Sequence, residues 1–173
     1  MSPITAALAH LVAPSLEHVA AYIEALRYRG SEGTGADISD AALQAMTPAL
    51  ERYVAKTNAP SAASTYRQLW LMAGACFIGR VSLRKDIGPP SEAMEGHIAY
   101  EVHPAFRRRG FGHRALALGI DELRRQGVGD ILILCEDENI GSIKIIEAAG
   151  GALEGLAPHQ SFSDRIIRRY WIK

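Results

Sequence analysis

One stretch constrains the fold more than any other: Tyr100-Glu101-Val102-His103-Pro104-Ala105-Phe106-Arg107-Arg108-Arg109-Gly110-Phe111-Gly112-His113-Arg114. A strand over His97 to His103 is expected to end at Pro104, which has no N–H to continue a ladder. A helix is expected to start almost at once, from about Phe111 to Gly127, with Leu116, Ile120 and Leu123 at helical spacing. A helix start leaves backbone N–H groups unpaired and carries the positive end of the helix dipole. Glycines at 110 and 112 remove side chains from that point, so a phosphate can approach the N–H groups. Arg107, Arg108 and Arg109 add charged donors at its rim. Three consecutive arginines alone read as solvated surface, and Gly-x-Gly alone is a common turn. Lodged between a strand and an amphipathic helix, they read as an anion cradle.

Two other phosphate motifs are excluded. A P-loop ends in Gly-Lys-Ser/Thr, which the chain lacks. A dinucleotide fingerprint needs a third glycine in a chain-initial βαβ unit, whereas this block lies past mid-chain.

The flanking pattern alternates strands and helices. A strand is expected near Ile4 to Val12, then a helix from Ser15 to about Arg29 carrying Val19, Tyr22, Ile23 and Leu26 on one stripe. A second helix is expected over Ser39 to Lys56, capped by Asp37 or Ser39, with Leu43, Met46, Leu50 and Val54 aligned. Strands follow over Tyr66 to Met72 and Cys76 to Leu83, joined by a turn at Ala73-Gly74. Ile131 to Cys135 is all apolar, as for a strand covered on both faces. A helix from Asn139 to Ala149 starts on a good N-cap residue and ends at Gly150-Gly151. Strands over Ala152 to Ala157 and Arg165 to Ile172 close the chain. The sum is an α/β fold with a mixed sheet and helices on both faces.

Composition narrows the function classes. The 173 residues are enough for one domain, and 48% are apolar. Lys plus Arg (19) equals Asp plus Glu (19), so no global charge favours nucleic acid or an anionic membrane. Cys76 and Cys135 make neither a disulfide framework nor a structural zinc site, and no metal is expected. A reducing setting suits them. The N-terminus makes a poor signal peptide and no apolar run is long enough to span a membrane, so a cytoplasmic protein is expected.

Arg107-x-x-Gly110-x-Gly112 after Val102-x-Pro104 resembles the acetyl-CoA signature of the GCN5-related N-acetyltransferase (GNAT) superfamily. The segment Asp137-Glu138-Asn139-Ile140-Gly141-Ser142-Ile143-Lys144-Ile145-Ile146-Glu147 to Gly150-Gly151 resembles the second half of the same site. The closing Arg168-Arg169-Tyr170-Trp171-Ile172 is similar to a bacterial subgroup of predicted acetyltransferases. The resemblance covers roughly Tyr66 to Lys173. It implies a mostly antiparallel sheet of about seven strands, splayed between the fourth and fifth. It also implies one N-acetyltransferase domain over 1–173, with 1–60 forming the acceptor side and 66–173 the acetyl-CoA-binding core.

The same resemblance distributes roles. Backbone groups at Val102 or His103 would pair with the pantetheine arm and serve the oxyanion. N–H groups over Arg108, Arg109, Gly110, Phe111, Gly112 and His113, with Arg107 beside them, would hold the pyrophosphate. Asn139 and Ser142 would order the far wall, although Asn139 equally reads as a plain N-cap.

Acetyl transfer to an amine needs a proton acceptor, since most amines are ammonium ions at neutral pH. Glu101 is the first candidate base, and equally reads as a charge on an exposed strand face; His97 and His103 share its strand parity. Glu136 is a further candidate. Seven residues after Asn139, where many relatives carry a tyrosine acid, stands Ile146. Tyr100 or Cys135 are the substitutes, or solvent protonates the thiolate. The implied reaction is direct transfer from acetyl-CoA to a primary amine of a small molecule or peptide. The alternatives are a non-catalytic acyl-CoA sensor and a scaffold that binds no CoA. Glu32, Asp37, Asp40, Glu92 and Glu95, in the loops expected to bound the acceptor groove (Arg29 to Asp40, Asp86 to Glu95 and Pro158 to Asp164), lean toward a cationic amine. Association through the last strands would give a homodimer.

Overall fold

A computed structural model describes residues 4–29, 40–58, 65–89, 95–158 and 165–173. Among the described residues, seven strands and four α-helices follow in the order β1 (His10–Val12), α1 (Val19–Arg29), α2 (Asp40–Asn58), β2 (Tyr66–Ala73), β3 (Cys76–Arg84), β4 (Ile98–Val102), α3 (Phe111–Arg125), β5 (Ile131–Glu136), α4 (Ile140–Ala148), β6 (Ala152–Pro158) and β7 (Ile166–Ile172). The strands form two antiparallel sheets, β1-β2-β3-β4 and β5-β7-β6. The parting therefore falls between the fourth and fifth strands, as expected.

The two faces of the first sheet follow strand parity. Leu69, Leu71, Val81, Leu83 and Ile98 point toward α3 and join one core with Leu116, Leu123, Ile131, Ile133 and Tyr170. Trp70, Met72 and Phe77 point the other way and pack with Val19, Leu50 and Val54 of α1 and α2. The Tyr22 ring stacks on Trp70 at 5.0 Å and meets Phe77 edge-on at 4.9 Å. These are the offset and edge geometries that the ring quadrupoles favour. Helices thus cover both faces, and the α1–α2 face is left partly open toward β4.

The sheets meet at one end. Gly96 lies so close to β5 that a Cβ there would stand 2.6 Å from the Leu132 carbonyl oxygen. This allows the His97 N–H to donate to Leu132 C=O at 2.8 Å. The Leu132 N–H donates in return to His97 Nδ1 at 2.9 Å. His97 is a buried joint between sheets, which removes it from the acid–base candidates. Its pKa is lowered by burial, against an opposing pull from the Leu132 contact and from Asp86.

Some boundaries differ from expectation. Of Ile4 to Val12 only His10–Val12 is strand, and Ala6–Leu8 is a 3-10 turn. Arginines of the later helix start bind the carbonyls of that segment, which replaces ladder pairing. The first helix is preceded by a 3-10 turn over Leu16–His18, where Ser15 Oγ and His18 Nδ1 lie 2.6 Å apart. The β2–β3 turn centres on Gly74 and Ala75 rather than Ala73, with Gly74 at φ +58°. Within α3, Gly119 and Ala115 are buried along with Leu116 and Leu123, while Ile120 is half-buried. Asp37 and Ser39, expected as caps, lie outside the described residues.

Candidate active site

Beyond the His97 joint, β4 and β5 have no ladder pairing among the described residues. There a cleft of 420 Å³ opens, bounded by Tyr100, Glu101 and Val102 on one side and Asn139, Gly141 and Ser142 on the other. Arg107, Arg108 and Gly112 line its end. The two halves of the sequence signature are therefore brought together across the parting.

The β4 backbone explains which groups the cleft can use. The His103 N–H donates to Ile78 C=O of β3 at 2.8 Å, so it is not available to a ligand. In an antiparallel ladder successive residues turn their polar groups to opposite edges. Val102 therefore directs its N–H toward the parting, and its C=O accepts from Arg107 Nε at 3.1 Å. Of the two backbone positions expected for an oxyanion donor, the geometry leaves Val102.

Pro104–Phe106 forms a 3-10 turn that carries the chain from β4 to α3. Arg108 then adopts φ +59° and Gly110 φ +82°. The left-handed region is strained for a residue with a Cβ. At Gly110 that strain is avoided; at Arg108 it is not. Residues held this way concentrate where a backbone must present itself in one particular shape. Arg114 N–H makes the first helical bond, to Gly110 C=O at 3.1 Å. That leaves the N–H groups of Phe111, Gly112 and His113 as the unpaired first turn. The Phe111 side chain is buried, so only its backbone faces a ligand.

One expected member, Arg109, and its neighbour Arg114 do other work with their side chains. The Arg109 guanidinium lies over the Phe106 and Phe111 rings at 5.5 and 5.8 Å and donates to Ile4 C=O at 3.0 Å. Arg114 donates to Ala9 C=O at 3.0 Å. Both tie the N-terminal segment to the start of α3, because its carbonyls lack strand partners. At Gly112, a Cβ would stand 2.6 Å from the Ile145 Cδ1 of α4 and 3.9 Å from the Tyr100 ring. Its missing side chain thus makes room for helix packing as well as for a ligand.

On the far wall, Asn139 Oδ1 accepts from the Ser142 N–H at 3.0 Å, an N-cap. Ile146, at the position of the usual tyrosine acid, is fully buried. Tyr100 is the polar ring nearest to hand. Its hydroxyl is buried beside the Ser142 side chain, short of full hydrogen-bond geometry with any described residue; burial raises its pKa and the Ser142 hydroxyl offsets part of the rise.

Glu101 faces the opposite side of β4 from Tyr100 and lies opposite Arg80 in register. Arg80 Nη2 and Nε reach its Oε2 at 2.7 and 2.9 Å. A second cavity of 370 Å³, on the α1–α2 face, is lined by Gln68, Arg80, Ser82 and Arg84 and also reaches Tyr100 and Glu101. Both cavities are lined by those two residues, which stand on opposite faces of β4. His103 is buried beneath α1, with Nε2 2.9 Å from Ala25 C=O. The Cys135 thiol is buried and its pKa pushed up to about 11 by that burial. Glu136 pairs with Arg165 at 2.6 Å, away from the first cleft. Glu32, Asp37 and Glu92, expected around the acceptor groove, lie outside the described residues, as do 159–164.

Sequence reasoning missed Gly79. It lies opposite Val102, and a Cβ there would stand 2.0 Å from the Glu101 carbonyl oxygen. A glycine inside an apolar strand is the signal that marks such a close approach. Among the described residues no three His, Cys, Asp or Glu side chains group as a metal site requires. No described helix is long and apolar enough to cross a membrane.

Comparison with known proteins agrees with this fold. The chain is similar in structure to Microcin C7 self immunity acetyltransferase MccE in complex with acetyl-CoA and AMP, at 16% identity and a TM-score of 0.71, over 99% of this chain and 97% of that one. It is similar to Mycobacterium smegmatis RimJ in complex with CoA-disulfide, at 17% identity and TM-score 0.71, over 95% and 81%. It is also similar to RimL, a ribosomal L7/L12 alpha-N-protein acetyltransferase, at 16% identity and TM-score 0.66, over 98% and 92%. No curated protein sequence matches the chain. The family model described as Acetyltransferase (GNAT) domain matches residues 10–152, and the chain belongs to that family, an acyltransferase by membership.

Proposed function

We propose that the protein transfers an acetyl group from acetyl-CoA directly to a primary amine of a small molecule or peptide. The observation that carries this reading is that Tyr100 and Glu101 line two cavities at once, one at the α3 and α4 N-termini and the other along the open face of β2–β4. A two-substrate transfer needs that arrangement, because acyl donor and amine must approach one point from different sides.

The donor set suits a pyrophosphate: three unpaired N–H groups at the start of α3, the guanidinium groups of Arg107 and Arg108 at the rim, and glycine at a left-handed position. Acetyl-CoA would supply the acyl group as an activated thioester. Val102 offers its N–H to the developing oxyanion. Asn139 and Ser142 order the opposite wall. Glu101 takes the proton of the ammonium through water, with Arg80 holding the carboxylate in place. Tyr100 Oη, protonated and buried beside Ser142, donates to the leaving sulfur in the place that Ile146 cannot fill. RimL is named for a ribosomal protein and MccE for microcin self immunity, so a peptide or a small-molecule acceptor fits the fold.

A second reading, a non-catalytic acyl-CoA sensor, is favoured by the buried Ile146 and by the hold of Arg80 on Glu101. Calorimetric titration with acetyl-CoA, followed by thiol release over a panel of amines, separates the two. Binding with turnover supports transfer, binding without turnover on any amine supports the sensor, and no binding sinks both.

A further inference from the structure

The open face of β2–β4 carries arginine where a cationic acceptor would need acid. Residues 80, 82 and 84 of β3 share that face by strand parity, since Val81 and Leu83 are buried on the other. Arg80 is committed to Glu101. Arg84 is held differently. Its backbone N–H donates to His97 C=O at 2.8 Å, at the joint between the sheets. Its guanidinium lies over the Tyr66 ring at 5.1 Å and pairs with Glu95. The Arg84 side chain is 19% exposed while Glu95 is 65% exposed. The cation is thus fixed and largely covered, and its carboxylate partner stands outside it in solvent.

We infer that Arg84 is an acceptor-specificity residue that binds a carboxylate of the amine substrate, and that Glu95 occupies the position from which that carboxylate displaces it. A pair with one strongly exposed member contributes little, so exchange of one carboxylate for another costs little. A guanidinium already ordered on an aromatic face loses less freedom on binding than a free one. Arg84 and Glu95 also line a further cavity of 230 Å³, so the groove continues past them. An elongated acceptor fits a groove of that form.

Register sets the length. Arg84 is four residues beyond Arg80 along β3, roughly 13 Å of extended strand. With the amine at Glu101, opposite Arg80, the carboxylate must lie about that far away. In an extended peptide this is a side chain on the fourth or fifth residue. The acceptor class is then a peptide-like primary amine with an acidic group at that distance, in place of the cationic amine that loop composition favours. The placement of the amine rests on the proposed acetyl transfer; the carboxylate site itself does not.

The test uses the full chain saturated with CoA and a ladder of hexapeptides with free N-termini. Each has one Glu at position 2, 3, 4 or 5, with a Gln peptide matched to each. Binding is read by calorimetry and turnover by thiol release with acetyl-CoA. The expectation is binding about tenfold tighter for Glu than Gln at position 4 or 5, with little difference at 2 or 3. Arg84→Gln abolishes that preference. Glu95→Gln tightens binding of the position 4 or 5 Glu peptides alone. Equal binding of Glu and Gln peptides, a preference that survives Arg84→Gln, or no binding of any peptide overturns the inference. Discriminating binding without thiol release leaves the carboxylate site standing and sinks the acetyl-transfer reading. Thiol release that ignores the acidic residue does the reverse.

Discussion

Replacing Gly79 by alanine tests the site through a residue that carries no functional group. The added Cβ would stand 2.0 Å from the Glu101 carbonyl oxygen and 3.1 Å from both the Glu101 carbonyl carbon and the Val102 Cα. All three are backbone atoms, so no side-chain rotation relieves the clash. A Cβ contact under 3.0 Å is essentially never seen, so β4 must retreat by about 1 Å at Glu101 and Val102. Forcing one methyl into a closed contact costs about 1–3 kcal/mol. In a chain of this size that lowers the thermal midpoint by about 2 to 12 °C. A displacement of that size at the reacting centre costs about 10²-fold in turnover. The larger effect is thus expected on kcat, measured by thiol release, with acetyl-CoA affinity less affected because the α3 N–H groups stay in place. Gly155→Ala is the control, since nothing lies within 4 Å of its Cβ position. It should leave both measurements unchanged. A Gly79→Ala protein with wild-type melting and wild-type turnover would refute the claim that β4 geometry at Glu101–Val102 sets the reaction.

Tyr100→Phe removes a buried hydroxyl whose side-chain neighbour is Ser142, at less than full hydrogen-bond geometry, so folding stability should change by no more than about 1 kcal/mol. If the hydroxyl protonates the leaving thiolate, kcat falls about tenfold to a hundredfold with KM little changed; an unaltered kcat removes Tyr100 from the mechanism. His97 has a folded pKa below its ordinary 6.5, so the unfolded chain takes up its proton first as pH falls. Its stabilising contribution is complete above about pH 6.5 and is lost as pH drops through the folded value. His97→Asn, which keeps an acceptor for the Leu132 N–H, should flatten that part of the urea-midpoint profile, and an unchanged slope between pH 7 and 5 contradicts the assignment. Cys135, with its thiol pKa near 11, should resist iodoacetamide in the native protein at pH 8 and react once urea unfolds the chain. Rapid native labelling would show that β5 is not packed as described.

The elements and their order were legible because hydrophobic period and turn chemistry are local. Asn139 before an apolar run, with Gly150 at φ +86° behind it, delimits α4 from sequence alone. The strand–turn–helix block likewise located the α3 start, since Pro104 and Gly110 each restrict the backbone in one way. What sequence withheld was direction in space. Arg107, Arg108 and Arg109 are consecutive and chemically identical, yet two line the cleft and one lies over Phe106 and Phe111, a difference set by rings whose positions depend on the whole core. His97 shares strand parity with Glu101, but parity does not say that β5 passes close enough at Leu132 to bury its ring as a joint. Nor can a motif show that the His103 N–H is already taken by β3.

These contacts assign β4 two faces and one edge. Tyr100 looks toward α3 and α4, Glu101 toward α1 and α2, and Val102 offers its N–H at the edge where β5 has parted from it. Gly96 and His97 fasten the two sheets at the other end, and beyond that point the two strands no longer pair. Gly79 presses the same strand from the β3 side, which fixes the depth of the Glu101 carbonyl. Glycines at 79 and 96 therefore act on the site as much as those in the motif do. They let neighbouring backbones approach a strand that must be held firmly while one of its edges stays unpaired.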